Sequence, residues 1–225
     1  MTHGAPNRIT PELLATARDE WRDQLAPLPG PRTAVLIGGN SRTHRLGTAT
    51  MDALIAHLKA LQARRGGSLM ITVSRRTPKD LRERLRKAFA AGVPSPSQGE
   101  GQGGGQSQKN LASVPHPTPP PERGRGQTAL PSIFLYTGDG PNPYHGFLAF
   151  ADYIICTTDS TSMISDAATI GTPIEFFPLP GGSRRHDRFM AHCASLGIPG
   201  ARYTPWNDAD RVAEVIEKMI KERAD

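Results

Sequence analysis

The stretch Thr157 to Pro173, TTDSTSMISDAATIGTP, crowds hydroxyl side chains and two aspartates between the apolar runs YIIC (153–156) and IEFF (174–177). Both runs are short and rich in β-branched or aromatic residues, as buried strands are, while Met163, Ala167 and Ile170 follow helical spacing between them. Gly171 and Pro173 stop that helix, and Asp159, Ser160, Thr161 and Ser162 are all acceptable caps at its start. A helix N-terminus offers unpaired N–H groups and a partial positive charge, and hydroxyls add hydrogen bonds without adding negative charge. The chemistry this suits is the holding of a phosphate or diphosphate at Ser160, Thr161 and Ser162. A carboxylate there repels such a ligand, so Asp159 is read as a helix cap or as a partner for a ligand hydroxyl. Asp166, farther along, is read as a solvated helix position.

A second candidate loop is GGNSRTHR (38–45). Gly38 and Gly39 allow close approach to the backbone, and Asn40, Ser41, Arg42 and Arg45 supply donors. The alternative is a tight strand-to-helix turn with solvated arginines. The glycine spacing of a dinucleotide fingerprint and the GK[ST] ending of a P-loop are both missing, which disfavours an NAD-linked oxidoreductase, and no cofactor is expected. The helix dipole contributes about 0.3–1 kcal/mol to anion binding, so charged hydrogen bonds of about 1.5–3 kcal/mol each must join it. Arg42, Arg75 and Arg76 are the candidates. His44 and His145 sit on candidate loops and could pass protons, whereas His57, His186 and His192 are read as helix-surface or packing residues. No GxSxG elbow marks a serine nucleophile, and Asp208-Ala209-Asp210 reads as an acidic helix start instead of a metal-binding DxD. No residue is assigned a catalytic role.

These loops must be positioned by regular elements, and the elements alternate. TAVLIGG (33–39), LMITVS (69–74) and IFLYTG (133–138) read as strands. Thr48–Ala63, Pro78–Ala91, Pro143–Phe150, RRHDRFMAHCASLG and DADRVAEVIEKMIKERA read as helices. The pattern predicts an α/β, doubly wound parallel sheet, Rossmann-like, in which ligands bind at the carboxyl ends of the strands. There GGNSRTHR, SRRTP, TGDGPNPY and TTDSTS are expected to face one crevice. Residues 1–30 read as a hinge or helical segment and 31–225 as the domain itself.

Residues 94–128 stand apart. They hold almost no large apolar side chains and cannot bury enough surface to offset their ordering entropy, which predicts a disordered insertion within one domain. Because doubling a loop's length costs only about 0.6 kcal/mol, replacing 94–128 by a short Gly/Ser bridge is expected to leave stability unchanged or slightly raised. Thermal melting of the deletion variant checks this, and a fall of many degrees would show that the segment packs.

The net charge of +6 and pI near 9.7 favour anionic partners. Nucleic acid is disfavoured, since the basic residues are scattered in pairs and only 6% of residues are aromatic. No apolar run approaches the roughly 18–20 residues of a membrane span, and no apolar leader follows Met1, so cytoplasm is the default expectation. Cys156 and Cys193 form no CxxC or Cys/His cluster; they are read as reduced and structural, with no metal site.

Together LIGGNSRTHRL, TVSRRTP, GPNPYHGFLAFADYIICTTDSTSMISDAATIGTPI and RRHDRF resemble the bacterial and plant family of mitochondrial-fission (elongated-mitochondria) proteins, also labelled predicted nucleoside-diphosphate-sugar epimerases. The resemblance covers nearly everything outside 94–128. It implies a fold similar to the C-terminal half of GT-B glycosyltransferases and non-hydrolysing 2-epimerases, where one Rossmann-like domain grips a nucleotide diphosphate. By that analogy Ser160 to Met163 meet the diphosphate, Asp166 lies near the ribose, and Asn142 and Tyr144, in the matched run, complete the ligand set. Relatives carry a whole domain before the segment similar to GAPNRITPELLATARDEW. That departure implies a shortened nucleotide-sugar-binding half that does not turn substrate over alone, or an epimerase or glycosyltransferase completed by another domain. Plant members are associated with recruiting a dynamin-related protein, which implies instead a non-catalytic interaction module with a partner on the exposed interdomain face.

Overall fold

The computed structural model describes residues 2–90 and 132–224. Five strands form one parallel sheet in the order β3-β2-β1-β4-β5, with β1 Arg32–Ile37, β2 Ser68–Val73, β3 Ile133–Tyr136, β4 Tyr153–Thr157 and β5 Ile174–Phe177. Helices α1 (Pro11–Glu20), α2 (Arg22–Leu25), α3 (Thr48–Arg65), α4 (Lys79–Phe89), α5 (Tyr144–Phe150), α6 (Thr161–Ile170), α7 (Arg184–Ser195) and α8 (Asp208–Ala224) surround it. The expected doubly wound, Rossmann-like architecture is therefore the observed one.

The central strand shows why. Successive side chains of a strand point to opposite faces, and in β1 both sets are apolar, as a strand covered on both sides requires. Val35 and Ile37 pack with Ile71 and Ile155 against Met51, Leu54 and Leu58 of α3 and Leu81 and Leu85 of α4. Ala34 and Leu36 pack on the other face with Met70, Ile154, Phe147 of α5, and Ile164 and Ala168 of α6. Residues 1–30 supply Trp21, Leu25 and Leu28 to that second core, and α1 lies against α5.

Several element ends differ from the pattern by one or two residues, and local contacts show where each chain segment turns. Strand β1 stops at Ile37 because the Gly38 N–H leaves the ladder for Thr157 Oγ1, 2.8 Å away. Helix α3 runs on to Arg65, where Gly66 turns out at φ 68°. Helix α6 ends at Gly171, which takes the left-handed conformation at φ 82° and closes the helix without a Cβ penalty.

The segment read as a disordered insertion, 94–128, lies outside the described residues. Its flanks belong to one sheet, since β3 pairs with β2 from Leu69↔Ile133 to Thr72↔Tyr136. Cys156 and Cys193 are both buried free thiols, and burial pushes Cys193 up to about 12. Among the described residues no helix is long and apolar enough to cross a membrane, and no cluster of three or more metal-ligating side chains occurs.

Candidate functional site

The sheet order reverses between β1 and β4, and in open α/β sheets the crevice beyond the strand ends at such a point is where ligands bind. Here the two strand ends are latched together. The buried Asp159 carboxylate accepts from Gly39 N at 3.0 Å and from Thr157 Oγ1 at 2.7 Å, and Arg76 Nη2 lies 3.6 Å from it. The Cβ position of Gly38 is filled by that carboxylate, and that of Gly39 by the backbone of Arg76 and Thr77. The glycines are thus required by close approach of protein to protein. Asp159 is not the helix cap: Ser160 is, its Oγ accepting from Met163 N at 3.4 Å.

The rest of the first loop is occupied with its own shape. Asn40 Oδ1 accepts from Leu46 N at 2.8 Å, and Ser41 Oγ accepts from Thr43 N and His44 N at 3.3 and 3.0 Å. Arg42 is exposed and is absent from the cleft lining. His44, read as a possible proton carrier, is buried, with Nδ1 3.1 Å from Thr43 Oγ1 and its ring edge-on to His186 at 4.4 Å. That contact and burial hold the His186 imidazole below its ordinary range, burial being the larger cause. His145 is exposed at the start of α5.

Beside the latch opens a cleft of about 520 Å³ over the carboxyl ends of β2 and β3. Arg75 and Asn142, from the loops after β2 and β3, line it together with Tyr144 at the start of α5 and Met163 in the first turn of α6. Ser160 to Met163 form the cap and first turn of α6, where backbone N–H groups lack intrahelical acceptors; Thr161 is half-buried and Ser162 exposed. Arg75 is exposed and makes no ion pair among the described residues.

Asp166 is not a solvated position. It is half-buried behind the cleft and accepts from Tyr144 Oη at 2.8 Å. Burial raises its carboxyl above the ordinary 3.8, against the opposing pull of Tyr144 and His145. Burial, and then Asp166, push the Tyr144 phenol well up, so it stays a donor. Because the folded-state value is raised, the fold disfavours the charged carboxylate, and this stability loss sets in as pH rises above 3.8. An Asp166→Asn variant, which still accepts from Tyr144, is therefore expected to gain on the parent in melting temperature between about pH 4 and pH 7. A constant difference across that range would contradict the burial of the charge.

Sequence reasoning missed Arg82. From α4 it donates to the carbonyls of Thr77 (2.9 Å), Thr137 (3.2 Å), Ser74 (3.2 Å) and Arg75 (2.9 Å), tying the loops after β2 and β3 into one wall of the cleft. Its only signal was adjacency to the buried Leu81 on an otherwise charged helix.

Sequence comparison places the chain among known proteins. The family model described as Mitochondrial fission ELM1 matches residues 1–112 and 124–220. The chain belongs to that family. Within it, "Mitochondrial fission protein ELM1" of Arabidopsis thaliana is 27% identical over 174 residues, covering 77% of this chain and 32% of the relative. "Uncharacterized protein RP120" of Rickettsia prowazekii (strain Madrid E) is 37% identical over 95 residues, covering 37% of this chain and 27% of the relative. This ELM1-family chain thus spans between about a quarter and a third of the length of the curated relatives it matches.

Proposed function

We propose that this ELM1-family chain binds the diphosphate of a nucleoside diphosphate or nucleotide sugar in the cleft beside the switch point. The observation that carries the reading is the convergence of Arg75, Asn142, Tyr144 and Met163 on one open cleft at the strand carboxyl ends. Its volume lies within the roughly 300–1,000 Å³ of small-ligand sites. Arg75 supplies the charge, the first turn of α6 supplies N–H donors with Thr161 and Ser162 hydroxyls at its rim, and Asp166, behind the cleft, holds Tyr144 in place against the ligand. The buried Asp159 acts one layer below and, with the exposed Arg76, fixes the loops that carry these groups.

Catalysis is not part of this role for the chain alone. Its buried His44 does not line the cleft, and the one imidazole beside Tyr144 and Asp166 among the described residues, His145, is exposed to solvent. Positioning both sides of a reacting sugar supplies roughly 7–11 kcal/mol in enzymes with an enclosed site. A further domain closing over this cleft would make an epimerase or glycosyltransferase. The alternative, a non-catalytic interaction module, is favoured by the name of the plant relative, which speaks of mitochondrial fission.

A thermal-shift panel of UDP, GDP, ADP, CMP and their sugars separates these readings. A diphosphate at 100 times its dissociation constant stabilises the fold by about 2.7 kcal/mol, a shift of several degrees, and CMP is expected to do less. No shift with any member, or with inorganic pyrophosphate, would favour the interaction module.

A further inference from the structure

Helix α8 is hydrogen-bonded to the domain at its start, and Thr2 with Arg211, Val212, Val215 and Ile216 lines a shallow recess beyond that point. The buried Asp208 accepts from His3 N at 2.8 Å and Gly4 N at 2.5 Å, and Val212 is half-buried, but from Ala213 to Glu222 every residue is exposed. Val215, Ile216, Met219 and Ile220 are 50–62% exposed and lie on one side of the helix, the large apolar side chains so exposed among the described residues. An uncovered helix of this length is marginal in water, and such an apolar stripe calls for a partner surface.

The charges along α8 indicate which surface. Its N-terminal part carries Asp208, Asp210, Glu214 and Glu217 against Arg211, while Lys218 and Lys221 follow against Glu222. Two such helices laid antiparallel set the acidic part of each beside the basic part of the other and oppose their dipoles; laid parallel, like faces like. The apolar residues are symmetric about the same point. A two-fold axis between Glu217 and Lys218 brings Val215 opposite Ile220, and Ile216 opposite Met219, of the second helix.

We propose that the exposed face of α8 is a self-association surface, on which α8 of a second copy docks antiparallel about a two-fold axis near residues 217–218. The contact is isologous, so it closes as a dimer and does not propagate.

Sedimentation equilibrium of the 225-residue chain tests this. A monomer–dimer equilibrium is expected, and an Ile216→Glu, Met219→Glu double variant should weaken it by about 100-fold or more while the melting of the domain is kept. Geometry is read by cysteine cross-linking, with Cys156 and Cys193 out of reach in the core. Ile216→Cys, near the axis, should form an intermolecular disulfide, whereas Val212→Cys should not, because cysteine Cα atoms must come within about 7 Å. If the double variant unravels α8, the cysteine pair still decides. A monomer at every concentration, even one whose α8 captures a different protein, a dimer indifferent to the glutamates, or a Val212→Cys cross-link would each overturn the proposal.

Discussion

A Gly39→Ala variant is expected to lose about 3 kcal/mol or more of stability, a large share of the 5–15 kcal/mol typical of a domain. The new methyl group would fall on the backbone of Arg76 and Thr77, not on a side chain that can turn aside. That backbone is itself held: Thr77 Oγ1 donates to Gly38 O at 2.5 Å, and Asn40 N donates to Arg76 O at 3.2 Å. Relief therefore requires the β1 and β2 loops to part, which opens the latch and displaces Arg75 from the cleft. Gly47 is the control. It has open space around its Cβ position and an ordinary φ of −104°, so Gly47→Ala should cost less than about 1 kcal/mol. Equilibrium denaturation of the two variants checks the contrast, and equal stabilities would refute the tight crossing of the loops.

The second large effect is expected at Asp159. Asp159→Ala leaves the buried Gly39 N–H without its acceptor and the Thr157 hydroxyl with only the Leu36 carbonyl at 3.5 Å, an orphaned group costing about 1–3 kcal/mol. Asp159→Asn keeps the shape but turns an NH₂ group toward one of these two donors. It should still lose about 1–3 kcal/mol, and it removes the charge facing Arg76. Denaturant titration of both variants measures this. If Asp159→Asn matched the parent in stability, the carboxyl group would be a ligand contact and not a structural latch.

Local features of this fold were legible in the sequence because they are set by neighbours along the chain. The apolar content of β1, the presence of a cap among residues 159–162 and the helix stop at Gly171 each depend on residues a few positions apart, whereas the choice of Ser160 among four candidate caps was settled by the fold. The placement of SRRTP, TGDGPNPY and α6 around one edge followed from alternation of strand and helix. What the sequence hid are contacts between distant segments. Gly39 and Asp159 are 120 positions apart, so nothing local shows that the carboxylate fills the space beside Gly38 and serves the Gly39 N–H. Likewise Arg82 looks like a surface residue of α4 until the β3 loop folds over it, and His44 looks like a loop residue until α7 brings His186 against its ring.

The diphosphate site proposed for this cleft depends on Arg75. It is tested most directly by isothermal titration calorimetry of UDP, GDP and ADP against the parent chain and an Arg75→Ala variant. Arg75 has no ion pair among the described residues to lose, so the substitution should leave the melting temperature unchanged. A charged hydrogen bond contributes about 1.5–3 kcal/mol, so at least one diphosphate should bind the parent and bind the variant roughly 10- to 150-fold more weakly. Parent binding that is equally strong in Arg75→Ala, or no binding of any diphosphate to the folded parent, would rule out a diphosphate site built on Arg75.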